Sequence, residues 1–297
     1  LDASASGADS FQQTREGILP SLARGSAPSA ASKKRLSAPG KAECLPSEGP
    51  FTAQAPTPDY PCVASRSGCT SLQDLAQQIT GLNAVGDCTL LSSAGCRVAV
   101  GRVQDHTHAL SSAEREQVEG AVASRRAEYS TGRFLAKQAL GRLGIDTSAI
   151  LAEGRRPIWP AGVVGSITHS RHYALAAVCP RSRFAGVGID IERTNRVTDR
   201  IAPKTMTDHE LAATAAGWPP YSRTANFGAK EAVFKAVNPI VGLMIGFKEV
   251  EIVWRPEEAG FGARYIGPNP ENAIMEQGEG TVFTLADHIG ALFWLEP

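Results

Sequence analysis

Asp190 and Glu192 stand two residues apart at the end of the apolar run Gly186-Val-Gly-Ile-Asp-Ile-Glu192. On a strand, a period of two puts both carboxylates on one face. Two carboxylates that close together repel unless a cation lies between them. Mg²⁺ takes a few hard oxygen ligands from protein and completes its shell with substrate phosphate and water. Alone, the pattern equally describes a strand running out to solvent.

A second segment, Phe227-Gly-Ala-Lys-Glu-Ala-Val-Phe-Lys235, carries Glu231 and Lys235 at i, i+4. On a helix they share a face one turn apart, with Phe227, Val233, Phe234 and Val237 free to be buried. By spacing alone this is an ordinary surface ion pair, yet a third carboxylate beside a lysine is what a Mg²⁺–phosphate site requires. A third segment, Arg155-Arg-Pro-Ile-Trp-Pro-Ala-Gly-Val-Val-Gly-Ser-Ile-Thr-His-Ser170, gathers phosphate donors in Thr168, His169 and Ser170. Arg156 adds a planar fork suited to phosphate or to stacking on a base. Read blandly, it is a turn-rich connector with one satisfied histidine.

The elements that must position these groups are legible around them. Cys96 to Val103 alternates as a strand, and Ser111-Ser-Ala-Glu114 has the form of a capping box opening a helix-rich stretch to Gly144. Strands are expected over Val163 to Val178 and Phe184 to Ile191. Helices follow near Asp208 to Ala216 and Thr224 to Val237, and strands at Val250 to Trp254, Gly262 to Ile266 and Thr281 to Leu295. The order predicts an α+β fold of two halves, about 86–190 and 191–297, with largely antiparallel sheets.

Residues 1–85 differ. Ala, Ser, Gly and Pro dominate and aromatics are scarce, so this segment is expected to be a disordered tail unable to offset its ordering entropy. A short helix over Ser71 to about Ile79 is compatible with the shared face of Leu72, Leu75 and Ile79. Deleting 1–85 is expected to leave activity and thermal midpoint nearly unchanged. The chain opens on Leu1 rather than methionine, which fits a fragment or an unusual start codon.

The 297 residues hold 30 basic and 30 acidic side chains. That balance argues against a general nucleic-acid binder. No apolar run is long enough for a membrane span. The six cysteines, Cys44, Cys62, Cys69, Cys88, Cys96 and Cys179, show no metal-binding spacing and are expected to be reduced thiols in a cytoplasmic protein.

Together and in this order, the motifs resemble those of the 4′-phosphopantetheinyl transferases of the surfactin/enterobactin type. Gly188-Ile-Asp-Ile-Glu192 is similar to that family's G-[IV]-D-x-E, Phe227 to Lys235 to its [FW]-[SA]-x-K-E-[SA]-x-x-K, and Gly165-Ser-Ile-Thr-His-Ser170 to its S-[IL]-[ST]-H. Arg125 to Leu140 resembles the arginine helix of the enterobactin synthetase component D branch, and Trp159 to Ser166 matches that branch as well. The resemblance covers about residues 90–297. Gly228 departs from the usual Ser or Ala, and Val237-Asn238 replaces an aromatic pair before Pro239.

The resemblance implies two pseudo-repeated α+β halves with the active site between them, acting as a monomer. It implies Mg²⁺-dependent transfer of phosphopantetheine from coenzyme A to a serine of an apo carrier protein (peptidyl, aryl or acyl), in siderophore, non-ribosomal peptide or polyketide synthesis. Asp190, Glu192 and Glu231 would hold the metal against the coenzyme A pyrophosphate. Lys235 would neutralise phosphate charge, and Glu231 would also be the candidate base. Thr168 and His169 would contact the coenzyme A phosphates, with His169, Arg133 and Arg126 at the 3′-phosphate and Arg156 beside the adenine. Two other functions remain open: another Mg²⁺-dependent enzyme that cleaves pyrophosphate without a protein acceptor, and a non-catalytic module that binds coenzyme A or carrier.

Overall fold

The computed structural model describes residues 71–215, 222–255, 258 and 260–297. Residues 1–70, most of the expected tail, lie outside the described residues, as do Cys44, Cys62 and Cys69 within them.

The rest of the expected tail does not behave as one. Helix α1 (Leu72–Thr80) opens at Ser71, whose N–H donates to Asp74 Oδ2 at 2.9 Å. Its stripe of Leu72, Leu75, Ala76 and Ile79 is buried in the main core, with Val98 and Leu175 of one sheet and Ile189, Ile191 and Leu292 of the other. The expected boundary at 85/86 therefore moves ahead of Ser71, and a deletion of 1–85 would remove core.

The first half builds a sheet from β1 (Thr89–Ser93), β2 (Cys96–Arg102), β5 (Val163–His169) and β6 (Tyr173–Pro180), in the order β1-β2-β6-β5 with every pair antiparallel. Helices α2 (Ser112–Glu116) and α3 (Ala123–Gly141) lie between β2 and β5, followed by a two-residue ladder, β3 (Ala152–Glu153) with β4 (Arg156–Pro157). The second half contains β7 (Gly186–Arg193), α4 (Ala202–Thr205), α5 (Asp208–Ala215), α6 (Ser222–Val241), β8 (Val250–Arg255), β9 (Gly260–Tyr265), β10 (Glu279–Leu285) and β11 (His288–Leu295). Its sheet runs β7-β11-β10-β9-β8, again antiparallel. Because β7 belongs wholly to this second sheet, the halves divide in the connection after β6 rather than at residue 190.

The two halves repeat one plan. In each, the strand before the long helix pairs with the last strand of that half, which pairs in turn with the strand before it: β2-β6-β5 and β7-β11-β10. The repetition extends to single atoms. Ser111 and Glu114 form the expected capping box, and the Glu114 carboxylate, 0 % exposed, also takes Lys137 Nζ of α3 at 2.6 Å and the Ile150 N–H at 2.8 Å. In the second half Thr207 and Glu210 form the same box, and Glu210 takes Lys230 Nζ of α6 at 2.6 Å and the Ile252 N–H at 2.9 Å. A buried carboxylate is tolerable when each oxygen is hydrogen-bonded and one bond is charge-assisted. Each clamp ties a long helix both to the short helix before it and to the chain after it.

Cysteine chemistry departs from expectation at one pair. The antiparallel register of β2 and β6 sets Cys96 opposite Cys179, with Cα atoms 4.3 Å apart, and the two are joined as a disulfide. Cys88 is the free cysteine among the described residues, its thiol pushed up by burial. No helix among the described residues is long and apolar enough to cross a membrane.

Leu75 is fully buried at the centre of the α1 stripe. Leu75→Ala should destabilise the protein by about 2–5 kcal/mol in denaturant unfolding. A loss under about 0.5 kcal/mol, the range of neutral surface changes, would detach α1 from the core.

Candidate active site at the seam of the two halves

The site is built on β7 because that strand has two different faces. Val187, Ile189 and Ile191 point into the main core, whereas Gly186, Gly188 and Asp190 point at α6. The glycines let helix and strand touch. A Cβ on Gly188 would fall 1.9 Å from the Ala232 carbonyl oxygen, and one on Gly186 2.4 Å from that of Ala236. Where the glycines stop, Asp190 occupies the next position on that face, beside Glu231 and Lys235 of α6.

Asp190 is held from both halves. Lys235 Nζ donates to its Oδ1 at 2.6 Å and to the Ile189 carbonyl at 3.1 Å. Thr168 Oγ1, from β5 of the first half, donates to the same Oδ1 at 3.0 Å, while Ser166 Oγ accepts the Ile189 N–H at 3.1 Å. Asp190 Oδ2 is buried with no hydrogen-bond partner among the described residues. The Cβ missing at Gly228 would lie 3.5 Å from that oxygen, so the glycine leaves open the space beside it.

Glu231 is buried as well, at 6 % exposure. Burial and then the Asp190 charge push its carboxyl up to about 7, against the pull of Lys235, Arg196 and Arg155. Burial works against the Lys235 ammonium, but Asp190 and Glu231 outweigh it and hold its pKa above the usual lysine value. Glu192 lies 3.8 Å from Arg196 Nε at the edge of the group. The structure thus brings Asp190, Glu231, Lys235 and Thr168 together, with Glu192 adjoining. Lys230, next to Glu231 in the motif, turns the other way into the Glu210 clamp and has its pKa lowered by burial.

The expected phosphate group of His169, Arg133 and Arg126 is not assembled as such. On β5 the alternation sends Ser166 and Thr168 toward β7 and leaves Ile167 and His169 facing α3. There His169 Nε2 lies 3.1 Å from Arg125 Nη1, and Nδ1 lies 3.5 Å from Glu128 Oε2. Arg133 is instead buried: its Nε donates to the Ile150 carbonyl at 2.6 Å and its guanidinium stacks 4.4 Å over Tyr129. Arg126 donates to the Ala121 carbonyl at 2.7 Å. The reason is helix phase. Arg125 and Glu128 share a face with Gly132, which meets Ile167, and Arg133 lies about 100° further round. Spacing shows that Arg125, Glu128 and Gly132 share a face; that this is the face toward His169 is set by Gly132 meeting Ile167, a tertiary contact. Arg156 pairs with Glu153 at 2.5 Å across the small β3–β4 ladder, while the charge of neighbouring Arg155 reaches Glu231.

The raised Glu231 pKa makes a signed prediction. Unfolded, the carboxyl titrates near 4.5; folded, near 7, so the folded state holds more protons between these values. Stability therefore falls as pH rises through that window. In chelator, Glu231→Gln should melt higher than the parent at about pH 8, with the gain fading as pH drops to the unfolded value. Parallel pH profiles for the two proteins would contradict the burial of Glu231 against Asp190.

Comparison with known proteins agrees with this architecture. A family model described as the 4′-phosphopantetheinyl transferase N-terminal domain matches residues 113–179, and one described as the 4′-phosphopantetheinyl transferase superfamily matches 186–286. The junction between them falls where β6 gives way to β7. The chain is 40 % identical over 164 residues to 4′-phosphopantetheinyl transferase Svp of Streptomyces mobaraensis, covering 53 % of this chain and 66 % of that one. It is 36 % identical over 152 residues to 4′-phosphopantetheinyl transferase PptT of Mycobacterium tuberculosis, covering 49 % and 65 %. Against enterobactin synthase component D of Escherichia coli K12 the identity is 33 % over 149 residues, covering 48 % and 68 %. The chain thus spans about two thirds of the length of the curated relatives it matches. On these matches, and on a fold in two repeated halves, the chain belongs to the 4′-phosphopantetheinyl transferase superfamily.

Proposed function

We propose that this chain transfers 4′-phosphopantetheine from coenzyme A to a serine hydroxyl of an apo carrier protein, as a single-chain cytoplasmic enzyme using Mg²⁺. The observation that carries the proposal is the convergence of Asp190, Glu231, Lys235 and Thr168 at the seam of the two halves. The names of the relatives, two of them transferases of this group and one an enterobactin synthase component, support the reaction and favour a carrier of siderophore or peptide synthesis.

The residues fit a Mg²⁺ ion. Asp190, Glu192 and Glu231 are hard oxygen donors, Asp190 Oδ2 is buried without a hydrogen-bond partner among the described residues, and the Asp190–Glu231 repulsion is of the kind that a divalent cation relieves. Bound there with the coenzyme A pyrophosphate, the ion would supply stabilisation of developing negative charge. The remaining work falls to the chain. Lys235, already fixed on Asp190, lays a positive charge against the pyrophosphate. Thr168 holds Asp190 in orientation from the first half. His169 and Arg125 receive the 3′-phosphate, and Arg155 or Arg156 lies toward the adenine. The carrier serine oxygen bonds to the β-phosphorus, its proton passes to the Glu231 carboxylate, and the bond to the bridging oxygen breaks. Adenosine 3′,5′-bisphosphate leaves with that oxygen.

The test is incubation with coenzyme A, Mg²⁺ and apo-carriers of the peptidyl, aryl and acyl classes, read by intact mass. A gain of one phosphopantetheine on the carrier is expected. Pyrophosphate-bond cleavage without any acceptor, or binding without turnover, would replace the proposal with one of its rivals. Asp190→Asn should lower turnover about 10²–10³-fold while leaving the protein folded, the range lost with one charge-stabilising group; near-parent turnover would dismiss the site.

Recognition of the 3′-phosphate has its own readout. Arg125→Ala should raise KM for coenzyme A about ten- to a hundred-fold more than KM for 3′-dephospho-coenzyme A, as expected for a charge-assisted contact. Equal effects on the two substrates would remove Arg125 from that role. Arg133→Ala, which vacates a buried stack, should lower thermal stability without such discrimination.

A further inference from the structure

A second ligand set lies where a turn of each half meets the other. The β5–β6 turn carries His172, whose carbonyl accepts the Val103 N–H at 2.9 Å and so fixes the turn's backbone. The β10–β11 turn carries Asp287 and, at the first position of β11, His288. His288 pairs in register with Arg193 and lies on the face of the second sheet opposite Asp190, since Asp190 pairs with Ala291 and the faces alternate. These residues are therefore separate from the acidic group on α6.

His288 is 0 % exposed, yet neither ring nitrogen has a hydrogen-bond partner among the described residues. Its Nδ1 stands 2.8 Å from Asp287 Oδ1 without hydrogen-bond alignment, and its ring packs edge-on to Tyr173 and His172, with centroids 5.1 and 5.9 Å away. A buried imidazole with no aligned hydrogen bond at either nitrogen is costly, and native structures seldom keep one without a reason. One ligand atom from each of His172, Asp287 and His288 lies within 4.8 Å of the other two. That spread is wider than a bound ion needs, but His172 and Asp287 are both exposed and can close it by side-chain rotation. Asp287 shares its other oxygen, Oδ2, with Arg193 Nε at 3.4 Å, which leaves Oδ1 on the histidine side.

We infer that His172, Asp287 and His288 form a binding site for a divalent transition ion of the Zn²⁺ type, which ties the β5–β6 turn of the first half to the β10–β11 turn of the second. Two imidazoles and one carboxylate suit Zn²⁺ rather than Mg²⁺, which prefers an all-oxygen shell. Three protein ligands leave a fourth position for water or an external ligand. Because the ion would bridge two turns that unfolding separates, its binding stabilises the folded chain.

The experiment is titration of the full chain with Co²⁺ as an optical stand-in for Zn²⁺, in Mg²⁺-containing buffer. One equivalent should produce a visible ligand-field band without a sulfur-to-cobalt charge-transfer band, and Zn²⁺ should displace it and raise Tm. His172→Ala, which alters an exposed turn residue, should weaken Co²⁺ binding at least about tenfold and remove the Tm rise. The Asp190→Ala, Glu231→Ala pair should leave the band in place. Should His172→Ala bind Co²⁺ like the parent, the inference is wrong. It is equally overturned if the band disappears with the Asp190 and Glu231 substitutions, or if a thiolate charge-transfer band shows that cysteines hold the ion.

Discussion

The structure depends on keeping two carboxylates, Asp190 and Glu231, buried against each other. Repulsion and desolvation both oppose it, as the Glu231 pKa near 7 records. What makes the arrangement tolerable comes from everywhere else in the fold. Lys235, one helical turn along α6, reaches back to Asp190; Thr168 arrives from the other sheet; Arg196 and Arg155 add charge at longer range. The glycines of β7 let α6 approach closely enough for these contacts to form. On the proposed function, this is the cost that a bound cation would relieve.

The internal repeat explains how that cost is carried. Each half locks its long helix through one buried glutamate that caps a short helix, holds a lysine of the long helix and takes a backbone N–H from the chain beyond it. In the first half the clamped helix, α3, offers Arg125 and Glu128 to His169. In the second, α6 offers Glu231 and Lys235 to Asp190. The duplicated scaffold thus presents two different chemistries on equivalent helices, on either side of β5. Lys230 and Lys235 illustrate the division within one motif: one lysine holds the helix, the other faces the site.

Much of this was readable from local pattern. The period-two carboxylates of β7, the i, i+4 pair of α6 and the capping box at Ser111 all rest on neighbours within one turn or strand, and each appears where the spacing set it. The α1 stripe was visible too, but its Ala/Ser/Gly/Pro-rich approach hid the fact that Leu72, Leu75 and Ile79 complete the main core. What sequence could not supply was phase and register between distant segments. Arg125 rather than Arg133 faces His169 because of where α3 presents Gly132 to Ile167. Cys96 meets Cys179 because β2 and β6 pair in one particular register, 83 residues apart. The second clamp was missed because Thr207 and Glu210 find Lys230 only through the tertiary fold.

The central claim is that Asp190 and Glu231 form one electrostatic unit completed by a cation. It is tested most directly by counting the protons released when Mg²⁺ is titrated into the protein at about pH 7, using calorimetry in two buffers of different ionisation enthalpy. With a folded pKa of about 7, Glu231 holds a substantial fraction of a proton before the ion binds. The account predicts release of that fraction by the parent protein and its loss in Glu231→Gln. Mg²⁺ binding with no proton release, or with the same release in both proteins, would contradict it.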